Sequence, residues 1–251
     1  MTAPYYLAAC CAATVAVAVR LPGWRRDPGT RPMTSAMAGF AIFAILRIRG
    51  VLDFIGDTAP GHNLGALASE LVAIATSRLL CVHVAGQAWG RRDLVPWIGA
   101  AAAIAALGVV GSFAASDAPT TPTRLIGDLG GWAQAYATIG GSVTVIANGT
   151  VLGTVLYAAR HGWAGFARTD RIALSLLGVA AVFGIIWGAN RIVRIWVPAV
   201  YGFSSRVTLS LGVATVFAYS AYAILNYWLT ARRDRRVRRQ QEGAQYGWQE
   251  S

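Results

Sequence analysis

Read for apolar against polar positions, the chain alternates between long hydrophobic runs and short charged or turn-forming segments. Seven runs stand out, at residues 3–19, 33–55, 64–88, 94–113, 132–158, 172–197 and 207–229. Crossing a bilayer as a helix takes about 20 apolar residues, and each run approaches or exceeds that length. Turn formers fill the connections, with Gly56, Pro60, Gly61 and Asn63 in one and Pro119 and Pro122 in the longest, residues 116–131. The pattern predicts an all-α, polytopic transmembrane bundle of about seven helices over residues 1–231. A basic segment follows at 232–251, expected to be mobile beyond residue 240.

Charge orients the bundle. Arg20, Arg25, Arg26 and Arg31 follow the first run, Arg91 and Arg92 the third, and Arg160, Arg168 and Arg171 the fifth. Arg232, Arg233, Arg235, Arg236, Arg238 and Arg239 follow the last. Cytoplasmic segments collect arginine, so the N-terminus is expected outside and the C-terminus in the cytoplasm. On that scheme 15 of the 22 arginines lie inside and 7 lie in spans or outer loops. Trp24, Trp89, Trp132, Trp163, Trp196 and Trp228 fall at run ends, where an interfacial aromatic belt belongs. Trp-Arg-Arg-Asp at 24–27 and Trp-Gly-Arg-Arg-Asp at 89–93 each precede a run, as does Asp170. These read as headgroup contacts with an aspartate capping the next helix. The six tail arginines are expected to meet the anionic inner leaflet.

Composition narrows the class. The chain is 55% hydrophobic and 13% charged, against about 25% charged in soluble domains. Its formal charge of +11 follows topology, so no nucleic-acid partner is expected. There is no lysine, which excludes a retinal Schiff base on this seven-helix plan. Cys10, Cys11 and Cys81 lie in apolar runs without metal-ligand spacing. No phosphate loop, zinc helix or nucleophile elbow occurs. The expectation is therefore a non-enzyme with no cofactor and no metal site.

The candidate chemistry is the charge inside the runs. Arg47, Glu70 and Arg191 each lie six to eight residues below the outer end of their run, or roughly 9–12 Å at 1.5 Å per residue. Glu70 is the one acid deep in a span, and two flanking guanidiniums would offset its burial. Arg194 shares a helix face with Arg191, and Asn190 adjoins them. Two readings stand side by side: a static clamp between helices, or an anion or proton site open to the outside. Arg49 and Asp53, four apart, are expected to pair locally. Arg78, Asn148 and His83 form a second, inner polar layer, in which Arg78 either hydrogen-bonds Asn148 or turns its guanidinium toward the cytoplasm. Leu71, Ile74 and Ile185 are expected to plug the space between the layers. Every proline is read as lying at a span end or in a loop, so no helix is expected to be broken by one. Gly149 with Gly153, and Gly184 with Gly188, permit close helix approach.

The outside first span, the Arg25-Arg26-Asp27-Pro28 loop, the long apolar hairpins and an arginine near the end of the sixth run resemble a group of actinobacterial seven-helix membrane proteins labelled as transporters. Members of that group commonly continue into a cytoplasmic C-terminal region, whereas this chain ends soon after its basic tail. The resemblance implies a place in a bacterial plasma membrane and transport of a small solute or ion. The residues themselves lead to a non-enzymatic sensor or scaffold that binds a ligand, lipid or cytoplasmic protein partner, with transport as the alternative.

Overall fold

A backbone without water must satisfy its own N–H and C=O groups, and within one segment only a helix does so. The computed structural model is accordingly helical throughout its described residues, with no strand among them. It describes residues 3–58, 61–87, 89–121, 129–162, 165–197 and 201–247, excepting the side chains of 57, 201–206, 234 and 236–247. Expectations that fall on Trp163, Pro122, Pro198 and the side chains of Arg236, Arg238 and Arg239 lie outside the described residues.

The described residues form eight α-helices: α1 (Ala3–Arg26), α2 (Arg31–Leu46), α3 (Arg49–Thr58), α4 (Leu64–Gln87), α5 (Val95–Ala114), α6 (Gly131–Gly162), α7 (Arg168–Trp196) and α8 (Tyr201–Gly247). Short 3₁₀ turns at Pro28–Thr30 and Arg92–Leu94 lead into α2 and α5. Among the described residues six stretches are long and apolar enough to cross a membrane, in α1, α4, α5, α6, α7 and the Val207–Arg233 part of α8. The second apolar run is not among them, because it does not form one helix.

That run breaks at Arg47. α2 has 16 residues, about 24 Å of helix against a hydrocarbon core of about 30 Å. Arg47 and Ile48 close the last turn by 3₁₀-type bonds to the carbonyls of Ala44 and Ile45. No proline or glycine stands at the break. Arg47 instead sits at φ −94°, ψ −4°, between the helical and extended regions, with its side chain held by Glu70 on α4. The 10-residue α3 that follows is amphipathic. Leu52 and Ile55 come down on Gly65 of α4, while Arg49 and Asp53 form the expected local pair at 3.7 Å on the exposed face of α3.

The first helix also departs from its expected end. α1 continues past Val19 to Arg26 and carries Pro22 inside its last turns, so not every proline is at a span end. Gly140 and Gly141 do not break α6, which runs unbroken for 32 residues. α8 carries the basic segment forward as helix to Gly247, which overlaps the stretch expected to be mobile.

The helices pack in a closed ring. α1 meets α2, α2 meets α4, α4 meets α6, α6 meets α7, α7 meets α8, and α8 returns to α1. α5 leans on α4 and α6 from outside, with Trp97, Ile104 and Leu107 turned outward. The largest core cluster joins Met33 and Met37 of α2 to Leu80 of α4, Val151 of α6, Leu177 of α7 and Tyr219 of α8. Gly141 and Gly188 bring α6 and α7 to backbone contact: a Cβ at Gly188 would stand 2.9 Å from the Gly141 carbonyl oxygen. Gly184 faces α6 as well, whereas Gly149 and Gly153 face open space and join no helix.

Side-chain bonds tie the loops at both ends. Asn63, in the left-handed region at φ 61°, donates to the carbonyls of Ala118 and Thr121 at 2.8 and 2.9 Å. At the opposite end Asp27 caps the first 3₁₀ turn through Gly29 N–H. Asp93 and Asp170 act differently from the expected caps. Asp93 pairs with Arg91, whose hydrogen bonds hold its carboxyl below the usual carboxylate range, and Asp170 pairs with Arg233 of α8.

Candidate functional site: an intramembrane arginine–glutamate cluster

Three helix ends bring the charges together. Arg47 terminates α2, Glu70 lies in the second turn of α4, and Arg191 lies near the end of α7. Arg47 Nη2 donates to Glu70 Oε1 at 2.8 Å, and Arg191 Nη2 donates to the same oxygen. The Glu70 side chain is 2% exposed, Arg191 13% and Arg47 28%, so Arg47 is the most accessible member. Each arginine also lies over an aromatic ring one turn back on its own helix. Arg47 stands 5.1 Å from the Phe43 centroid and Arg191 5.2 Å from that of Trp187. Phe43 and Trp187 meet edge to face at 5.6 Å. Such cation–π contacts are worth about 0.5–2 kcal/mol each and favour the charged guanidinium in an apolar setting.

The cluster is not internally complete. Glu70 Oε2, Arg47 Nε and Arg191 Nη1 are buried without a hydrogen-bond partner. Oε2 points at Gly140, where a Cβ would lie 2.3 Å away, so glycine is what leaves space for the carboxylate. Two guanidiniums and one carboxylate sum to +1. The site thus combines one free acceptor, two free donors and an uncompensated positive charge, all near one end of the bundle.

Asn190 and Arg194 do not join Glu70. Asn190 Nδ2 reaches across to Thr208 Oγ1 on α8 at 2.5 Å. Arg194, one turn beyond Arg191, forms no ion pair with Glu70. Spacing put all three residues on neighbouring faces, but α7 packs between α6 and α8, and of the three only Arg191 reaches across to Glu70 of α4.

Directly inward lies a cavity of about 30 Å³, roofed by Phe43 and Trp187 and bordered by Thr76, Ser77, Thr144 and Asn148. That volume suits a water-sized occupant. Thr76 and Thr144 donate their hydroxyl protons to the carbonyls of Val72 and Gly140, one turn back, leaving oxygen lone pairs for the cavity. Asn148 donates to the Thr144 carbonyl at 2.8 Å and accepts from Tyr219 at 2.7 Å. The expected Arg78–Asn148 bond is absent. Arg78 lies on the α5 side of α4, exposed and beside Gly99, whereas Asn148 faces α7 and α8. Ile74 is buried toward α5 and α6 with Val109, Phe113 and Tyr136, and Leu71 packs beside it. Ile185 is half-buried. Between the two polar layers lies this small cavity, its lining mostly apolar through Phe40, Phe43, Leu80, Trp187 and Val216, with Ile74 and Leu71 packed to one side of it.

The inner layer contains a residue that sequence reading missed. Arg20, assigned to a loop, is 1% exposed. It donates to the Ala223 carbonyl at 2.7 Å, Thr34 Oγ1 at 3.2 Å and the Thr30 carbonyl at 3.4 Å, joining α1, α2 and α8. His83 lies in the same inner half, with Nε2 3.3 Å from the Tyr222 hydroxyl and Nδ1 unpartnered. Thr30 and Thr34 at i and i+4, facing an arginine at the end of the previous run, were the available signal. Among the described residues no group of three or more histidine, cysteine, aspartate or glutamate side chains is placed to hold a metal. Comparison with known protein families, curated proteins and solved structures finds no match.

Proposed function

We propose that the chain is a non-enzymatic, multi-pass membrane protein that binds a small anion at its Arg47–Glu70–Arg191 cluster and acts as a sensor or scaffold. The observation that carries this is the sharing of one carboxylate oxygen by two guanidiniums. The triad has a net positive charge and unsatisfied donors on both arginines. An anion supplies the missing acceptor and competes with Glu70 for Arg47, whose side chain is the most accessible of the three and sits at the α2–α3 break. Binding would exchange the α2–α4 ion pair for a ligand contact, and the hinge beside Arg47 would carry the change.

In the same reading the chain crosses a bacterial plasma membrane seven times, with α2 and α3 together making the second crossing. The N-terminus lies outside and the C-terminus in the cytoplasm, as arginine placement favours. The basic segment from Arg232 meets the anionic inner leaflet and is available to a cytoplasmic protein partner.

The test is melting of the purified protein in neutral detergent, titrated with chloride, acetate or phosphate at constant ionic strength. A ligand that prefers the folded state raises the melting temperature as its concentration passes its dissociation constant. At least one of these anions is expected to do so, and Arg191→Gln to abolish the effect. Melting that ignores all three anions sinks the proposal.

Two observations support transport as a second reading. The broken second helix places irregular backbone beside intramembrane charge, as at many transporter sites. Buried polar groups also continue inward from Glu70 through Thr144 and Asn148 to His83 and Arg20. Single cysteines at Ser77 and Thr144, with Cys10, Cys11 and Cys81 replaced, separate the two. Labelling by an impermeant thiol reagent from each face in turn supports transport. Protection from both supports the closed binding protein, because the 30 Å³ cavity admits nothing larger than water.

A further inference from the structure

On the membrane-facing side of α2 the bundle carries an open groove of about 410 Å³, within the range of small-molecule sites. Its shape follows from residue size. Gly39 lets α2 sink against α4, since a Cβ there would lie 2.1 Å from Thr76 Oγ1. Ser35, Ala38 and Gly39 make a low floor, Leu21 and Trp24 of α1 form one wall, and Leu79 of α4 forms the other. Along each wall the groove runs about seven residues, or roughly 10 Å.

The surface is apolar even where the residues are not. Thr34 accepts from Arg20 Nε and donates to the Thr30 carbonyl at 2.9 Å. Thr76 donates to the Val72 carbonyl at 2.8 Å. Both hydroxyl protons are thus engaged by their own helices. One mouth of the groove is cationic. The Trp24 carbonyl accepts from Arg31 Nε at 3.0 Å, and Arg25, Arg26 and Arg31 are all exposed there.

We propose that this α1–α2–α4 groove is a binding site for an anionic phospholipid, with one acyl chain lying over Ala38 and Gly39 and the phosphate held by Arg31 and Arg25. The occupant matches the site at both ends: hydrocarbon against a hydrocarbon-lined slot, and an anion against guanidiniums at the level of Trp24. A second copy of the chain fits less well, because a two-fold dimer would bring the same three arginines of each copy to one depth. The proposal rests on membrane embedding and is independent of anion binding at Glu70.

The experiment uses the full chain in nanodiscs containing phosphatidylglycerol or phosphatidylcholine with brominated acyl chains. Tryptophan quenching is read for the unmodified protein and for Trp24→Phe, and the difference isolates Trp24. Brominated phosphatidylglycerol is expected to quench Trp24 at lower mole fraction than brominated phosphatidylcholine. Replacing Arg25 and Arg31 by glutamine is expected to weaken that preference roughly 30-fold, from the contribution of each arginine near an anionic surface. Ala38→Phe, which fills the floor, is expected to remove Trp24 quenching by both lipids, and Ala38→Leu to reduce it if the larger variant is not monodisperse. Equal quenching by the two lipids, or quenching unchanged in both Ala38 variants, reduces the groove to ordinary bilayer contact and overturns the site. So does disulfide cross-linking between copies through a cysteine placed at Ala38.

Discussion

Replacing Glu70 by glutamine tests the central ion cluster at nearly constant side-chain volume. The substitution removes the one negative charge and leaves Arg47 and Arg191 facing a neutral amide. Breaking a buried pair from one side costs about 3–5 kcal/mol. The low end applies, because Arg47 is 28% exposed and water relieves part of its loss. Arg191, at 13%, bears most of it, and the Phe43 and Trp187 rings still offset some of the burial of both. About 3 kcal/mol corresponds to a fall in melting temperature of roughly 6–12 °C for a chain of this size. The assay is thermal unfolding in one detergent at fixed salt, read by circular dichroism. Arg191→Gln and the Glu70→Gln/Arg191→Gln pair complete a cycle. The double variant should melt higher than the sum of the two losses requires, since groups in contact are not additive. A Glu70→Gln protein melting within about 2 °C of the unmodified one would show the cluster to be hydrated, and the clamp would contribute no stability.

Gly184→Ala places a methyl 2.2–2.6 Å from the Asn148 amide, so it should cost about 1–3 kcal/mol, seen as a lower melting temperature, and Asn148→Ala should recover most of that. Arg20→Gln should destabilise the α1–α8 contact and raise amide hydrogen exchange near Ala223, where the guanidinium binds a carbonyl; unchanged exchange there would remove Arg20 from the core. A periplasm-only reporter enzyme fused after Ser251 should be silent, and an active fusion would invert the proposed orientation.

Much of the architecture was legible because hydropathy acts locally. Run lengths located six long apolar helices but read the divided second run as one, and counting residues from the run ends put Arg47, Glu70 and Arg191 at one depth, where the structure brings them together. The misses share a cause in tertiary contact. Arg20 follows an apolar run and reads as loop until Thr34 and the Ala223 carbonyl, 203 residues away, are seen to receive it. The break at Arg47 has little sequence punctuation, Gly50 alone standing just beyond it, and the Glu70 partner that accompanies it is on another helix. Arg78 and Asn148 stand at similar depth but on faces set by different neighbours, and depth alone carries no azimuth. Gly184 read as a site of close helix approach, while Gly140 and Gly39 were not singled out for packing. Each is the space reserved for one polar side chain: Glu70, Asn148 and Thr76.

The last helix, α8, has 47 residues, about 70 Å of continuous rod, more than twice the thickness of the hydrocarbon core. Its core segment is gripped at Tyr219 by Asn148 and, close to the end of the bundle, at Arg233 by Asp170. Beyond that second grip the helical backbone runs on to Gly247 without a linker. A rigid rod held at two points behaves as a shaft. Turning or sliding it at Tyr219 must turn or slide the basic segment by the same angle or distance, with the Asp170–Arg233 pair as the bearing that permits or resists the motion. A flexible tether would dissipate such a displacement within a few residues, whereas this shaft delivers it undiminished to whatever binds its far end.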